Sequence, residues 1–132
     1  MPVVRISILR GKSPEYLKKV SSAIYDAMVE AYDLAPNDLF QMFSQHEPHE
    51  FYFDRMYGGG PRSDDFMLLD ITGGSDRSIA KKQGFFKHLV DTLQERAQVR
   101  PEDVAVMLNN YSMSDISFGS GKPIVPVVAV AD

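Results

Sequence analysis

The sequence predicts an α/β (α+β) fold: a tandem duplicated β-α-β unit forming a four-stranded, mainly parallel-paired sheet with both helices on one face. Three observations carry this. Two aliphatic runs are each followed by glycine and then a long helical pattern. Each helical pattern is followed by a proline-led turn and another apolar run. The landmarks recur at nearly one spacing, with Pro36 and Pro101 lying 65 positions apart and Gly11 and Gly74 lying 63 apart. Strands joined by a helical crossover run parallel within each unit.

The elements follow in order. Pro2 to Leu9 is rich in β-branched and aliphatic residues, and Gly11 ends it. Ser13 suits an N-cap, Pro14 the first helical position and Glu15 the positive end of the helix dipole. Leu17, Val20, Ile24, Ala27, Met28 and Ala31 then give one apolar face, so a helix is expected from about Pro14 to Tyr32. A turn containing Pro36 leads into a second strand, Leu39 to Phe43. The second unit has a strand from Phe66 to Ile71, a stop at Gly73-Gly74 and a cap at Ser75 or Asp76. Its helix runs from about Arg77 to Ala97 with an inward stripe of Ile79, Phe86, Leu89, Val90 and Leu93, and its last strand is Val104 to Leu108. Between the units lies a polar insert, Ser44 to Asp65, in which Glu50 to Phe53 reads as a short strand. The tail from Ser112 to Asp132 reads as a hairpin or arm.

Composition narrows the function classes. With 132 residues, 44% hydrophobic and 24% charged, the chain is expected to be one globular domain, residues 1–132, with units at about 2–45 and 65–110 and an arm at 112–132. The absence of cysteine excludes disulfides, thiolate zinc sites and thiol nucleophiles. A net charge of −4 without a basic stripe argues against nucleic acid as a partner. No apolar run approaches membrane-spanning length, and no membrane partner is expected; the reading is a soluble, cytoplasmic protein. Strands this aliphatic on both faces would leave an exposed patch opposite the helices, so self-association is expected, with the Val125 to Val130 run as a candidate for pairing with a neighbour.

The familiar catalytic motifs are missing: no HExxH, no Walker lysine loop and no GxSxG. His46 and His49 with Glu47 and Glu50 read as a solvated loop around Pro48, and Gly58-Gly59-Gly60 before Pro61 reads as a turn. What remains is Pro2. A small second residue permits removal of Met1, which would leave a secondary amine at the head of a buried strand. A free α-amino group titrates near pH 7.7–8.0, and desolvation disfavours its charged form, so in a dry pocket it is suited to proton transfer at neutral pH.

The chain resembles the tautomerase superfamily, typified by 4-oxalocrotonate tautomerase, and within it the malonate semialdehyde decarboxylase group. The residues that carry this are Met1-Pro2 before Val3 and Val4, Ile8 to Ser13, Ala27-Met28-Val29, Asp38, Ser44-Gln45-His46 with Pro48 and Glu50, Arg62-Ser63, Arg77-Ser78, and Ser117-Phe118-Gly119 with Gly121. The resemblance implies a homotrimer of tautomerase/MIF-like fold with Pro2 as catalytic amine and Asp38 as its assisting carboxylate. Asp38 also reads as a turn-former after Pro36 and Asn37, and Asp103 holds the equivalent place. Arg77, aided by Arg62, would hold the carboxylate of a small substrate, and Phe118 would wall the pocket. The expected reaction is keto-enol tautomerisation of a 2-oxo or enol carboxylate, with no metal or organic cofactor required.

The pattern departs from the decarboxylase group in places. Ser75-Asp76-Arg77 keeps one of two arginines, with Asp76 expected to offset part of the Arg77 charge, and Ile116 stands where that group has Trp. Lys12 and Phe40 fall where the tautomerase type carries arginines. A decarboxylase- or hydratase-like lyase is therefore the alternative. A non-catalytic trimer is a second alternative, which would follow if Met1 were retained and Pro2 locked in an amide.

Overall fold

The computed structural model describes residues 2–73 and 76–124. Met1, Ser75 as a helix cap and the Val125 to Val130 run lie outside the described residues. The order is β1 (Val3–Leu9), α1 (Pro14–Ala31), β2 (Gln41–His46), β3 (Met67–Thr72), α2 (Ile79–Ala97) and β4 (Val104–Asn109). The sheet order is β2-β1-β3-β4; the outer pairs are parallel, and the central β1/β3 pair is antiparallel.

Alternation puts Val4, Ile6 and Ile8 of β1 and Met67, Leu69 and Ile71 of β3 on the helix-facing side, each buried. Against them α1 lays Val20, Ala23, Ile24, Ala27 and Met28, and α2 lays Phe85, Leu89 and Leu93. Ser13 caps α1 by accepting the Tyr16 N–H at 3.1 Å. The helices are also tied across their outer surfaces by Asp26 with Arg96, Glu30 with His88 and Asp33 with Lys81, pairs worth little individually because they are wet.

Several expectations need correction. β2 starts at Gln41 and runs to His46, because Leu39 and Phe40 remain exposed in the approach to the strand. α2 starts at Ile79 and is capped by Ser78, whose Oγ accepts the Lys81 N–H at 3.1 Å. Its inward stripe is one residue out of the expected phase at the aromatic pair: Phe85 is fully buried, Phe86 is on the flank, and Ile79 in the first turn is exposed. Glu50 to Phe53 form no strand; instead a 3₁₀ turn at Pro48–Glu50 is closed by reciprocal Glu47 and Glu50 bonds. After β4, a 3₁₀ turn at Met113–Asp115 leads to a fold-back in which the Ile124 N–H donates to Ile116 O at 3.3 Å. The sheet face away from the helices is mixed, not aliphatic. Arg5 lies opposite Asp70 at its centre, Asn109 Nδ2 donates to Asp70 Oδ1 at 2.6 Å, and the exposed Met42 and Met107 flank them.

The duplication is visible in the ladder itself. Val4 pairs with Gln41, and 63 positions later Met67 pairs with Val104. Through the helices the offset is 65. It relates the caps Ser13 and Ser78, the left-handed residues Asp33 and Gln98 that end the helices, and the closing bonds from Leu34 to Met28 O and from Val99 to Leu93 O. Two residues have therefore moved between connections. The β3-to-α2 connection is two longer than its counterpart, and the α1-to-β2 connection holds Leu39 and Phe40 between Asp38 and Gln41, whereas Asp103 adjoins Val104 directly.

Candidate active site

The two altered connections meet at one end of the sheet. Pro2 sits just before Val3, which pairs with Thr72 at the end of β3, and the Val4 N–H donates to Phe40 O at 2.9 Å at the start of β2. Pro2 is buried and lines a narrow recess with Asp38, Leu39, Phe40 and Gln41 on one side and Val4, Met28 and Leu34 on the other. Parallel pairing of β1 with β2 produces this neighbourhood, since it puts the start of both strands at one end. The predicted amine and carboxylate are thus brought together.

Asp38 is held by its backbone, its N–H donating to Ala35 O at 3.2 Å in the turn after α1. The same bond recurs from Asp103 to Arg100 O at 2.9 Å, so both readings of Asp38 coexist: it is a turn residue, and it lines the recess beside Pro2. Asp103 is different in use. It is fully buried, and its two oxygens accept the Ser63 N–H at 2.7 Å and the Ser63 hydroxyl at 2.6 Å, so the insert fills the second copy of this position.

Arg77 reaches the same corner by another route than expected. It precedes the Ser78 cap, and its guanidinium turns to the C-terminal end of α1, donating to Tyr32 O at 3.1 Å and lying 4.2 Å over the Tyr32 ring centroid. Tyr32 is two residues before Leu34 of the recess. The neighbouring Asp76 carboxylate is shared among several donors. Asp76 accepts from Lys82 Nζ at 2.6 Å, Asn110 Nδ2 at 2.9 Å and the Arg77 N–H at 3.0 Å, and the Lys82 bond above all holds its carboxyl below the usual range.

Phe118 comes back over the site from the segment after β4, its ring 4.6 Å from that of Phe40. Arg62 does not join the others within one chain. It precedes Phe66, at the end of the sheet where Met67 pairs with Ile8, about 20 Å along β1 from Pro2 by strand rise. There it donates to Asp54 O and Gly58 O, each at 3.0 Å, and lies over the Phe66 ring. Lys12 is likewise at that end, paired with Asp65. Among the described residues no group of three or more His, Asp or Glu is placed to hold a metal ion, and His46 packs edge-on against Phe51.

Gln41 was not singled out by sequence reasoning. Its Nε2 donates to Ser21 O at 3.2 Å, while its Oε1 is sealed from solvent with no hydrogen-bond partner among the described residues. The available signal was the repeat: the matching position in the second unit is Val104.

Comparison with known proteins gives a consistent picture. A family model described as tautomerase enzyme matches residues 38–119, and another with the same description matches residues 2–58. Probable tautomerase YusQ of Bacillus subtilis (strain 168) is 31% identical over 92% of this chain and 96% of its own; probable tautomerase YrdN of the same organism is 27% identical over 92% and 94%. Among solved structures, a malonate semialdehyde decarboxylase is 33% identical with a TM-score of 0.83, covering 91% of this chain and 92% of its own. A fused 4-OT symmetric trimer, 15% identical with a TM-score of 0.72 over 92% and 94%, shares the fold.

Proposed function

The chain belongs to the tautomerase superfamily, and on that footing we propose that it is a cofactor-independent tautomerase of a small 2-oxo or enol carboxylate, using the Pro2 amine as acid and base. The observation that carries this is the convergence of Pro2 and Asp38 on one buried recess. With Met1 removed, Pro2 is a secondary amine among apolar groups, where desolvation favours its neutral form. Neutral Pro2 accepts the enol hydroxyl proton; the oxygen's electrons form the carbonyl, the C=C pair moves to carbon, and the ammonium returns one proton to that carbon. Asp38 supports the cationic amine between the two transfers. Arg77 binds the substrate carboxylate, and the packed Phe40 and Phe118 rings wall the pocket. Phe118, Arg77 and Asp38 hold these roles as part of the proposal, with Arg62 acting only if a neighbouring subunit carries it there.

A homotrimer belongs to the same proposal. It would cover the exposed Met42 and Met107 and the mixed face around Arg5 and Asp70, and trimeric structures share the fold. The proposed location is the cytoplasm; among the described residues no helix is long and apolar enough to cross a membrane. A second reading, a decarboxylase acting on malonate semialdehyde, is favoured by the 33% identity to such an enzyme.

Arg77→Ala separates the two. It is expected to raise KM for phenylpyruvate enol at least tenfold while kcat falls less, since a lost charged hydrogen bond is worth about 1.5–3 kcal/mol. If Arg77→Ala left enol turnover unchanged and abolished turnover of malonate semialdehyde, the decarboxylase reading would replace the tautomerase one. Intact mass of the chain from its native host tests the non-catalytic alternative: Met1 retained there would lock Pro2 in an amide and remove the enzyme reading.

A further inference from the structure

Gln41 sits where the fold needs no polar group. It opens β2, pairs with the buried Val4 and faces the helices, as Val104 does opposite Met67 in the second unit. The second unit has Asp65, not Pro, at the place matching Pro2, and there the position is apolar. In the first unit it carries an amide whose orientation is set by Ser21: with Nε2 donating to Ser21 O, Oε1 must point the other way. A buried carbonyl without a donor costs free energy comparable to a lost hydrogen bond, so its retention calls for a partner. In the recess that Gln41 lines, the Oε1 atom itself is sealed from solvent, so bulk water does not reach it. The lining side chains are those of Val4, Met28, Leu34, Asp38, Leu39 and Phe40, and an ionised Asp38 has only acceptors. The donor that processing would create in that lining is the amine of Pro2.

We propose that Gln41 is a positioning residue whose Oε1 accepts a hydrogen bond from the Pro2 amine, orienting its N–H so that the lone pair, or the second N–H of the ammonium, points at substrate. The inference rests on the proposed function in that it needs Pro2 free of Met1. Gln41 is anchored to α1 and rigid against β1, so it fixes one of the two directions of the amine, while Asp38 supplies charge. The other charged groups near this end have partners of their own: Arg77 donates one N–H to Tyr32 O and lies over its ring, with further N–H groups to offer a substrate carboxylate, Asp33 pairs with Lys81 and Asp76 with Lys82. Met28 and Leu34 from α1 and its end, and Thr72 opposite Val3, add no charge.

An acceptor on the amine favours its protonated form, so removing it lowers the pH at which Pro2 titrates. The test is a ¹⁵N-proline NMR titration of Pro2 in wild type, Gln41→Val and Gln41→Glu, beside the pH profile of kcat/KM. Val is the residue the second unit already tolerates at this position, so the fold is expected to persist. In Gln41→Val the Pro2 midpoint and the acid limb of the profile both move down by on the order of one pH unit, roughly a tenfold change in the protonation constant. In Gln41→Glu, which restores an acceptor, both return to the wild-type position or above it. An unmoved midpoint in Gln41→Val, with or without a lower Tm, overturns the role of Gln41 and leaves the proposed function standing. A wild-type Pro2 that shows no titrating amine overturns both. Should Gln41→Val not fold, Gln41→Met carries the same prediction and the same refutation.

Discussion

Pro2→Ala lowers kcat/KM for a 2-oxo carboxylate enol by about 10²- to 10⁴-fold, the range a positioned general acid–base supplies. Met1 is expected to leave before alanine as before proline, so the variant keeps an amine and loses the ring that fixes its direction. What is tested is therefore position more than basicity. The primary amine has three single-bond rotamers about N–Cα for its protons, whereas the pyrrolidine nitrogen is locked to the head of β1, beside Asp38 and Gln41. The loss should appear mainly in kcat, because Arg77 and the Phe40–Phe118 wall still hold substrate. Steady-state kinetics on phenylpyruvate enol, with the folded state checked by circular dichroism, measures it. Turnover within threefold of wild type would show that the reaction does not need the direction the ring fixes.

Asp103→Ala produces the largest expected loss of stability, about 3 kcal/mol, from the removal of two hydrogen bonds to a buried carboxylate and the stranding of the Ser63 N–H and hydroxyl. For a chain of this size that corresponds to a fall in Tm of roughly 10 °C. The mechanism is specific: Ser63 joins the insert to the turn before β4, and Arg100 of the same turn donates to Pro61 O at 3.1 Å, so the insert detaches from the second unit as one piece. Asp103→Asn keeps one acceptor and should recover part of the loss. Thermal melts of both variants decide it, and an unchanged Tm in Asp103→Ala would show that the insert is anchored elsewhere.

The duplicated architecture was legible because it rests on periodicity and punctuation. Ser13-Pro14-Glu15 and the three-four spacing from Leu17 to Ala31 specify α1 almost to the residue. The boundaries around α2 were less legible. Serine and aspartate at 75, 76 and 78 are all acceptable caps by type; of the two described, Asp76 and Ser78, it is Ser78 that has its oxygen at a helical N–H. The adjacent Phe85 and Phe86 cannot be ranked by a stripe that admits either, and the contact with Tyr32, ring centroids 4.6 Å apart, draws in Phe85. For the site, the family resemblance supplied Pro2 and Asp38, while their nearness follows from chain order, since a parallel β-α-β unit brings the start of both strands together. Arg77 was readable by type but not by direction, because its course toward α1 depends on a connection two residues longer than its counterpart. Gln41 was hidden in an ordinary strand and becomes visible only when the two units are laid over each other and Val104 is found in its place.

The central claim is a free, nucleophilic amine at Pro2 in a pocket that binds carboxylates. A carboxylate-bearing electron-poor alkyne, such as 2-oxo-3-pentynoate, tests it in one measurement: the amine adds to the β-carbon of the ynone, a proton moves to the α-carbon, and no group leaves. Peptide mass mapping after incubation should show one adduct per chain on a peptide that begins at Pro2. A peptide that begins at Met1, or an adduct confined to other residues while Pro2 is free and unmodified, would contradict the account.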